Sequence, residues 1–149
     1  SMLDDALMLI RPEATSKNVS IYLECPAELP AVYGDRIQLQ QVVLNLIRNA
    51  VDSLAESAQP NGHIQVAARH SDDSAKLLEI RVLDNGRGIP ADLVDHLFKP
   101  LTTSKKEGLG LGLSICFTIA EAHGGRIWLH SNRAGAIEFR LSLPLEPPE

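Results

Sequence analysis

In Leu78-Glu79-Ile80-Arg81-Val82-Leu83-Asp84, the positions Leu78, Ile80 and Val82 share one face of a strand, and Asp84 falls on the same parity. The pattern therefore turns a carboxylate toward the core. Burying an unpaired carboxylate costs several kcal/mol, roughly, so such a group calls for a partner that donates hydrogen bonds. In the continuation Asn85-Gly86-Arg87-Gly88-Ile89-Pro90, the glycines let something flat approach the backbone closely. The plain alternative is a hairpin turn, since Asp-Asn-Gly also serves there. Against it, Gly-Ile-Pro and a helix-forming stretch follow, not a returning strand.

Two further features could do chemistry. Gly108-Leu109-Gly110-Leu111-Gly112-Leu113 opens an amphipathic helix. Alternating glycines at a helix start expose successive backbone N–H groups, and the helix end adds about half a positive charge, so a phosphate is a natural guest. The run fits neither the lysine-containing phosphate loop nor the dinucleotide fingerprint. Asn49, within a long helix, offers a neutral amide oxygen that can ligate Mg²⁺ when nucleotide phosphates supply the negative charge. A solvated or hydrogen-bonded helix residue is the bland reading for Asn49 and for Asn45.

The elements that must position these residues follow from periodicity. Leu3, Ala6, Leu7, Ile10 and Ala14 predict a helix to about Lys17 that Pro12 kinks or interrupts. A strand over Val19 to Glu24 and a short extended piece at Ala31 to Tyr33 come next. Asp35 is the expected N-cap of a helix from Arg36 to Ala55, with an apolar stripe of Leu39, Val43, Leu46, Ile47, Ala50 and Leu54. Beside it runs a seam of Val42, Asn45, Asn49 and Asp52. Gln59 to Gly62 reads as a turn, and strands at His63 to Arg69 and Leu77 to Leu83 read as a hairpin. A short helix over Asp92 to Leu97, a lid over Lys99 to Glu107, and the glycine-opened helix ending at His123-Gly124-Gly125 complete the middle. Strands at Arg126 to His130 and Ile137 to Leu143 close the chain, with Trp128 and Phe139 expected in the core. This order suits a two-layer α/β sandwich with a mixed sheet.

The totals fit one domain: 149 residues, 44% hydrophobic and 22% charged. Ser1-Met2 reads as an expression remnant and residues 144–149 as a flexible tail. A net charge of −5 argues against nucleic acid or an anionic membrane as a bulk partner. No apolar run approaches the roughly 18 residues of a membrane span. Cys25 and Cys116 cannot make a disulfide scaffold, which favours a reducing, cytoplasmic setting. The five histidines lack zinc spacing, and His123 reads simply as the residue before a glycine cap.

An Asn-bearing helix, a strand-ending D-x-G-x-G, a lid and a G-x-G-x-G helix, in that order, resemble the nucleotide-binding superfamily of sensor histidine kinases, type II topoisomerases, heat-shock chaperones and mismatch-repair ATPases. The resemblance covers nearly the whole chain and is closest to the kinase branch. Arg36 to Leu54, with Asn45-Leu46-Ile47-Arg48-Asn49-Ala50, looks like its N box, and Asp84 to Pro90 like its G1 box. Leu97-Phe98-Lys99-Pro100-Leu101-Thr102-Thr103-Ser104-Lys105 is similar to the F box, and Gly108 to Ile115 to the G2 box. Thr-Thr-x-Lys before G2 is similar to the nitrogen-, oxygen- or dicarboxylate-sensing groups.

The resemblance implies a Bergerat-type fold with an ATP lid, and ATP and Mg²⁺ as ligands. It implies that Asp84 accepts from the exocyclic amine of adenine and that Gly86 and Gly88 line the base. Ile89 and Leu113 become candidate apolar walls, and Asn49 the Mg²⁺ ligand. Leu111, Gly112 and Leu113, in the run that Gly108 and Gly110 open, offer N–H groups to the phosphates. Lys105 could reach the terminal phosphates as phosphoryl transfer proceeds, and Asn45, Arg48 and Asp52 are neighbouring candidates. Ile137 stands where related sequences often have Thr, so no contact is assigned to the last strand. Where the ATPase branches carry a water-activating glutamate this chain has Asn45, whose amide is no general base. None of the histidines has the context of the family's phosphoacceptor. The implied partners are therefore a dimerisation and histidine phosphotransfer domain of the same protein and, indirectly, a response regulator. Neither nucleic acid nor direct membrane contact is implied. An ATPase clamp or a nucleotide-sensing binding module remains the alternative.

Overall fold

A computed structural model describes residues 2–25, 32–57, 60–74, 76–98 and 109–145. The element order is α1 (Met2–Ser16), β1 (Ser20–Glu24), α2 (Arg36–Glu56), β2 (His63–His70), β3 (Leu77–Asp84), α3 (Ala91–Val94), α4 (Leu109–Ala122), β4 (Arg126–Arg133) and β5 (Ala136–Pro144). The sheet runs β1-β2-β3-β5-β4; β1 and β2 are parallel and every other pair is antiparallel. This is the mixed-sheet sandwich expected, and β2 and β3 form the expected hairpin.

Alternation along the strands builds one apolar face. Val66, Val82 and Phe139 lie in one cross-strand row, and Ala68, Ile80, Leu141 and Ile127 in the next. These residues are buried, as are Leu39, Val43, Leu46, Ile47, Ala50 and Leu54 of α2. Burying a side chain of this size stabilises by about 1.5–3 kcal/mol. On the outer face charges replace apolar groups. Arg81 bonds Glu79 through Nε at 2.8 Å, and Arg140 bonds Glu138 through Nε at 2.6 Å.

The helix ends explain where the elements stop. Asp35 caps α2, its Oδ1 accepting from the N–H groups of Ile37 at 3.0 Å and Gln38 at 3.2 Å. At the end of α4, Gly125 N–H donates to Ala120 O at 2.8 Å and Gly124 N–H to Glu121 O at 3.0 Å. These two bonds define a Schellman closure, and Gly124 supplies the left-handed residue with φ +77°.

Several expectations change. Helix α1 runs unbroken through Pro12, which is exposed, so the carbonyl that a missing N–H leaves unpaired can turn to water. Val42 belongs to the core, not to a polar seam, and Cys116 on α4 donates its S–H to Val42 O at 3.6 Å. Trp128 is half-buried beneath the guanidinium of Arg126, 4.7 Å from the ring centroid, because its parity places it on the outer face of β4. Strand β4 continues past His130 through a register irregularity between Leu129 and Ser131. Helix α3 ends at Val94, short of Leu97. Val32 and Tyr33 form no strand, although Tyr33 N–H donates to Pro144 O at 3.1 Å. Ala31, Gln59, the expected lid and the tail from 146 lie outside the described residues.

Candidate functional site

Asp84 ends β3 on the inner face, 6% exposed. Its cross-strand neighbours are Ile64 on β2 and Ile137 on β5, both buried, so apolar groups flank the carboxyl on either side. The donor that the sequence called for is the backbone: Gly86 N–H gives Oδ1 a 2.8 Å hydrogen bond. Burial nevertheless dominates and pushes the carboxyl up to about 6, against the opposing pull of that N–H and of His63. No hairpin follows, since β3 pairs with β2 and β5 and the chain leaves the sheet at Asn85.

The segment after Asp84 is fastened on three sides. Asn85 Oδ1 accepts from His63 N–H at 2.8 Å, while its Nδ2 donates to Asn61 O at 3.1 Å. Gly135 N–H donates to Gly86 O at 2.7 Å. Asn132 on β4 grips the peptide of Ile89 from both ends, Oδ1 accepting from Ile89 N–H at 2.8 Å and Nδ2 donating to Ile89 O at 2.9 Å. A β-carbon on Gly86 would lie 2.9 Å from Asp84 Oδ1 and 3.4 Å from Leu54 Cδ2, so the glycine brings backbone, carboxyl and α2 together.

Helix α2 carries Asn49 some five residues before Leu54, about 7–8 Å along the axis. The Nδ2 of Asn49 is buried with no hydrogen-bond partner among the described residues. Orphaned buried amides cost roughly 1–3 kcal/mol and ask for an explanation. One turn earlier Asn45 faces Cys116 of α4 and opposes the burial that pushes this thiol up to about 12. The thiol is held inert.

Helix α4 begins at Leu109, so Gly110, Leu111, Gly112 and Leu113 form its first turn and Leu113 is fully buried. The N–H groups of a first turn have no intrahelical acceptors and face whatever lies ahead of the helix. Lys105 and Gly108 lie outside the described residues. Phe98, from the F-box stretch, packs among aromatic side chains, its ring centroid 5.9 Å from Phe117 and 6.2 Å from Phe139.

The structure thus places Asp84 and Gly86 beside Leu54 of α2, with Asn45 and Asn49 earlier on that helix and Leu113 buried on α4, which packs against α2. Arg48 and Asp52 instead meet α1, in ion pairs with Glu13 at 3.6 Å and Lys17 at 3.0 Å. Four residues play parts that the sequence reading did not assign. Asn132 gave no signal, because it meets Ile89 across 43 residues. Ile64 read as an ordinary strand residue and Ile137 was noted without a contact, and only register places the two beside Asp84. His123 does more than precede a cap: Nδ1 donates to Ile119 O at 2.9 Å while Nε2 accepts from Asp35 N–H at 3.2 Å, tying α4 to α2.

Residues 34–147 match the family described as histidine kinase-, DNA gyrase B-, and HSP90-like ATPase. The chain is 37% identical over 145 residues to the sensor histidine kinase TmoS of Ectopseudomonas mendocina, covering 97% of this chain and 15% of that protein. It is 35% identical to the sensor protein FixL of Bradyrhizobium diazoefficiens, covering 96% of this chain and 28% of that one. Among solved structures, the nucleotide-free catalytic domain of histidine kinase ThkA superposes with a TM-score of 0.80 at 32% identity, covering 96% of this chain and 90% of that one. ThkA in complex with the response regulator TrrA gives a TM-score of 0.77 at 29% identity, with 98% of this chain and 40% of that one covered. The chain therefore spans well under half the length of the curated relatives it matches.

Proposed function

The chain belongs to the family of histidine kinase-, DNA gyrase B- and HSP90-like ATPases, as an ATP-binding catalytic domain of the sensor histidine kinase type, and from that premise we propose that it transfers the γ-phosphoryl group of Mg²⁺-bound ATP to a histidine on a separate dimerisation and phosphotransfer domain. A response regulator is the next acceptor, and the setting is cytoplasmic. Among the described residues no helix is long and apolar enough to cross a membrane.

The observation that carries the reading is Asp84, a buried carboxyl at the mouth of a glycine-lined segment. Ionised, it accepts from the amino group of adenine; a carbonyl at that place on a purine would face an acceptor with an acceptor. Leu54 and Ile137 lie against Gly86 and give the base end apolar walls. The first turn of α4 meets the phosphate chain with backbone N–H groups and a positive helix end. Lys105 neutralises charge at the terminal phosphate as the bond to the leaving oxygen breaks.

For Mg²⁺ the donor set fits. Among the described residues no three His, Cys, Asp or Glu side chains are grouped to hold a metal, and a Mg²⁺ carried by nucleotide phosphates needs few ligands from the protein. Asn49 supplies one, and its orphaned Nδ2 is a donor left for the same ligand complex. The ion supplies charge neutralisation on the phosphate oxygens. Asn45 cannot deprotonate water, which favours transfer to a partner over hydrolysis.

In the test, purified protein is given labelled ATP with and without the histidine hairpin domain of the same full-length protein. It should bind ATP or ADP with Mg²⁺, label no residue of its own and phosphorylate the hairpin. Asn49→Ala should weaken Mg²⁺-ATP roughly tenfold or more, as loss of a metal ligand does, with a smaller effect on Mg²⁺-free nucleotide. Stable self-labelling would contradict the missing acceptor. Steady ATP turnover by the chain alone, lost in Asn45→Ala, would make it an ATPase clamp.

A further inference from the structure

Ile64, Asp84 and Ile137 stand side by side on β2, β3 and β5, all buried and all on the face that packs against α2. Directly opposed strand residues have Cβ atoms about 4.5–5.5 Å apart, close enough for a hydroxyl at either flank to reach the carboxyl. Isoleucine offers none. Asp84 Oδ1 is committed to Gly86 N–H at 2.8 Å, and among the described residues no side-chain hydrogen bond reaches Asp84. The elements packed around it add little charge. Helix α2 presents Leu54, β5 presents Ile137, and among the described residues His63 at the start of β2 is the one titratable side chain that acts on it.

Resting on the ATP-binding reading above, we propose that Ile137 is a specificity-determining residue of the base pocket: by withholding a second donor from Asp84 it leaves recognition of a 6-amino purine to one thinly supported carboxylate, so that adenine-nucleotide binding weakens on mild acidification. Ionised, the carboxyl only accepts; protonated, it turns a donor toward an amino group that has nothing to accept with at that position. Burial pushes this carboxyl up to about 6, which sets the range in which the change falls.

The experiment measures Mg²⁺-ADP affinity by calorimetry from pH 7.5 down to pH 5 for the parent chain, Ile137→Thr and Ile137→Val. Phosphate titration is common to all of them and cancels in the ratios. A carboxyl at about 6 is about one-tenth ionised at pH 5, so the parent should lose about tenfold relative to Ile137→Thr, whose hydroxyl holds the charge. Ile137→Val, still apolar, should follow the parent. In nucleotide-free protein the ¹³C carboxyl signal of Asp84 should titrate at lower pH in Ile137→Thr alone. Superimposable profiles for parent and Ile137→Thr, with unmoved carboxyl titration, overturn the proposal. Should Ile137→Thr not fold, Ile64→Thr makes the same test from the other flank. Absence of ADP binding by every variant at pH 7.5 would instead overturn the ATP reading itself.

Discussion

The base-binding role proposed for Asp84 and the stability of the fold oppose each other. A carboxyl raised from its ordinary 3.8 to about 6 binds more protons folded than unfolded within that window, so stability is lost as pH rises through it. At 1.36 kcal/mol per unit the cost above pH 6 is about 3 kcal/mol. Asn at this position keeps an acceptor for Gly86 N–H without the buried charge. Asp84→Asn should therefore raise urea-unfolding stability by up to about 3 kcal/mol at pH 7.5, with the gain vanishing near pH 4. Nucleotide binding should fall, as a neutral amide accepts less strongly from adenine. No gain at pH 7.5 would mean that the carboxyl is better solvated than its flanks suggest. The residue was legible from parity alone, because three apolar neighbours on one strand face define an inside. The reason for its raised pKa was not, since it lies in Ile64 and Ile137 on other strands.

At the scale of elements, the same division holds. The caps were readable because they are local: Asp35 precedes α2, and Gly124 follows α4. Asp35→Ala should cost about 1 kcal/mol in chemical denaturation, the usual worth of an N-cap. Asn132 is the opposite case. Its amide fastens a loop to a strand, a relation no spacing in the chain encodes. It is exposed, so Asn132→Ala should change global stability by no more than about 1 kcal/mol. Ile89 N–H should nonetheless exchange with solvent markedly faster, and nucleotide should bind more weakly through a loosened wall. Unchanged exchange at Ile89 would remove Asn132 from the account. The unbroken α1 makes a related point, for Met8, whose carbonyl Pro12 leaves without its helical donor, is exposed to water.

For the whole molecule, the boundary of the family match raises a question of what belongs to the fold. The match begins at residue 34, leaving out α1 and β1. Yet β1 pairs with β2 over five residues, and α1 buries Leu3, Ala6, Leu7, Ile10 and Ala14 against the rest. Ion pairs also join α1 and the residue that follows it to α2, in the same order along both segments: Asp5 with Arg36 at 2.8 Å, Glu13 with Arg48 at 3.6 Å, and Lys17 with Asp52 at 3.0 Å. Those pairs are partly exposed, and such contacts are worth about 0–1 kcal/mol each and weaken with salt. Truncating a fully buried aliphatic residue costs about 2–5 kcal/mol. The apolar seam, then, decides whether α1 stays docked. Ile10→Ala should lower unfolding free energy by about 2–5 kcal/mol, whereas raising NaCl to 0.5 M should shift it by no more than about 1 kcal/mol. The reverse ranking in urea titrations would mean that charge, and not burial, holds α1 against α2.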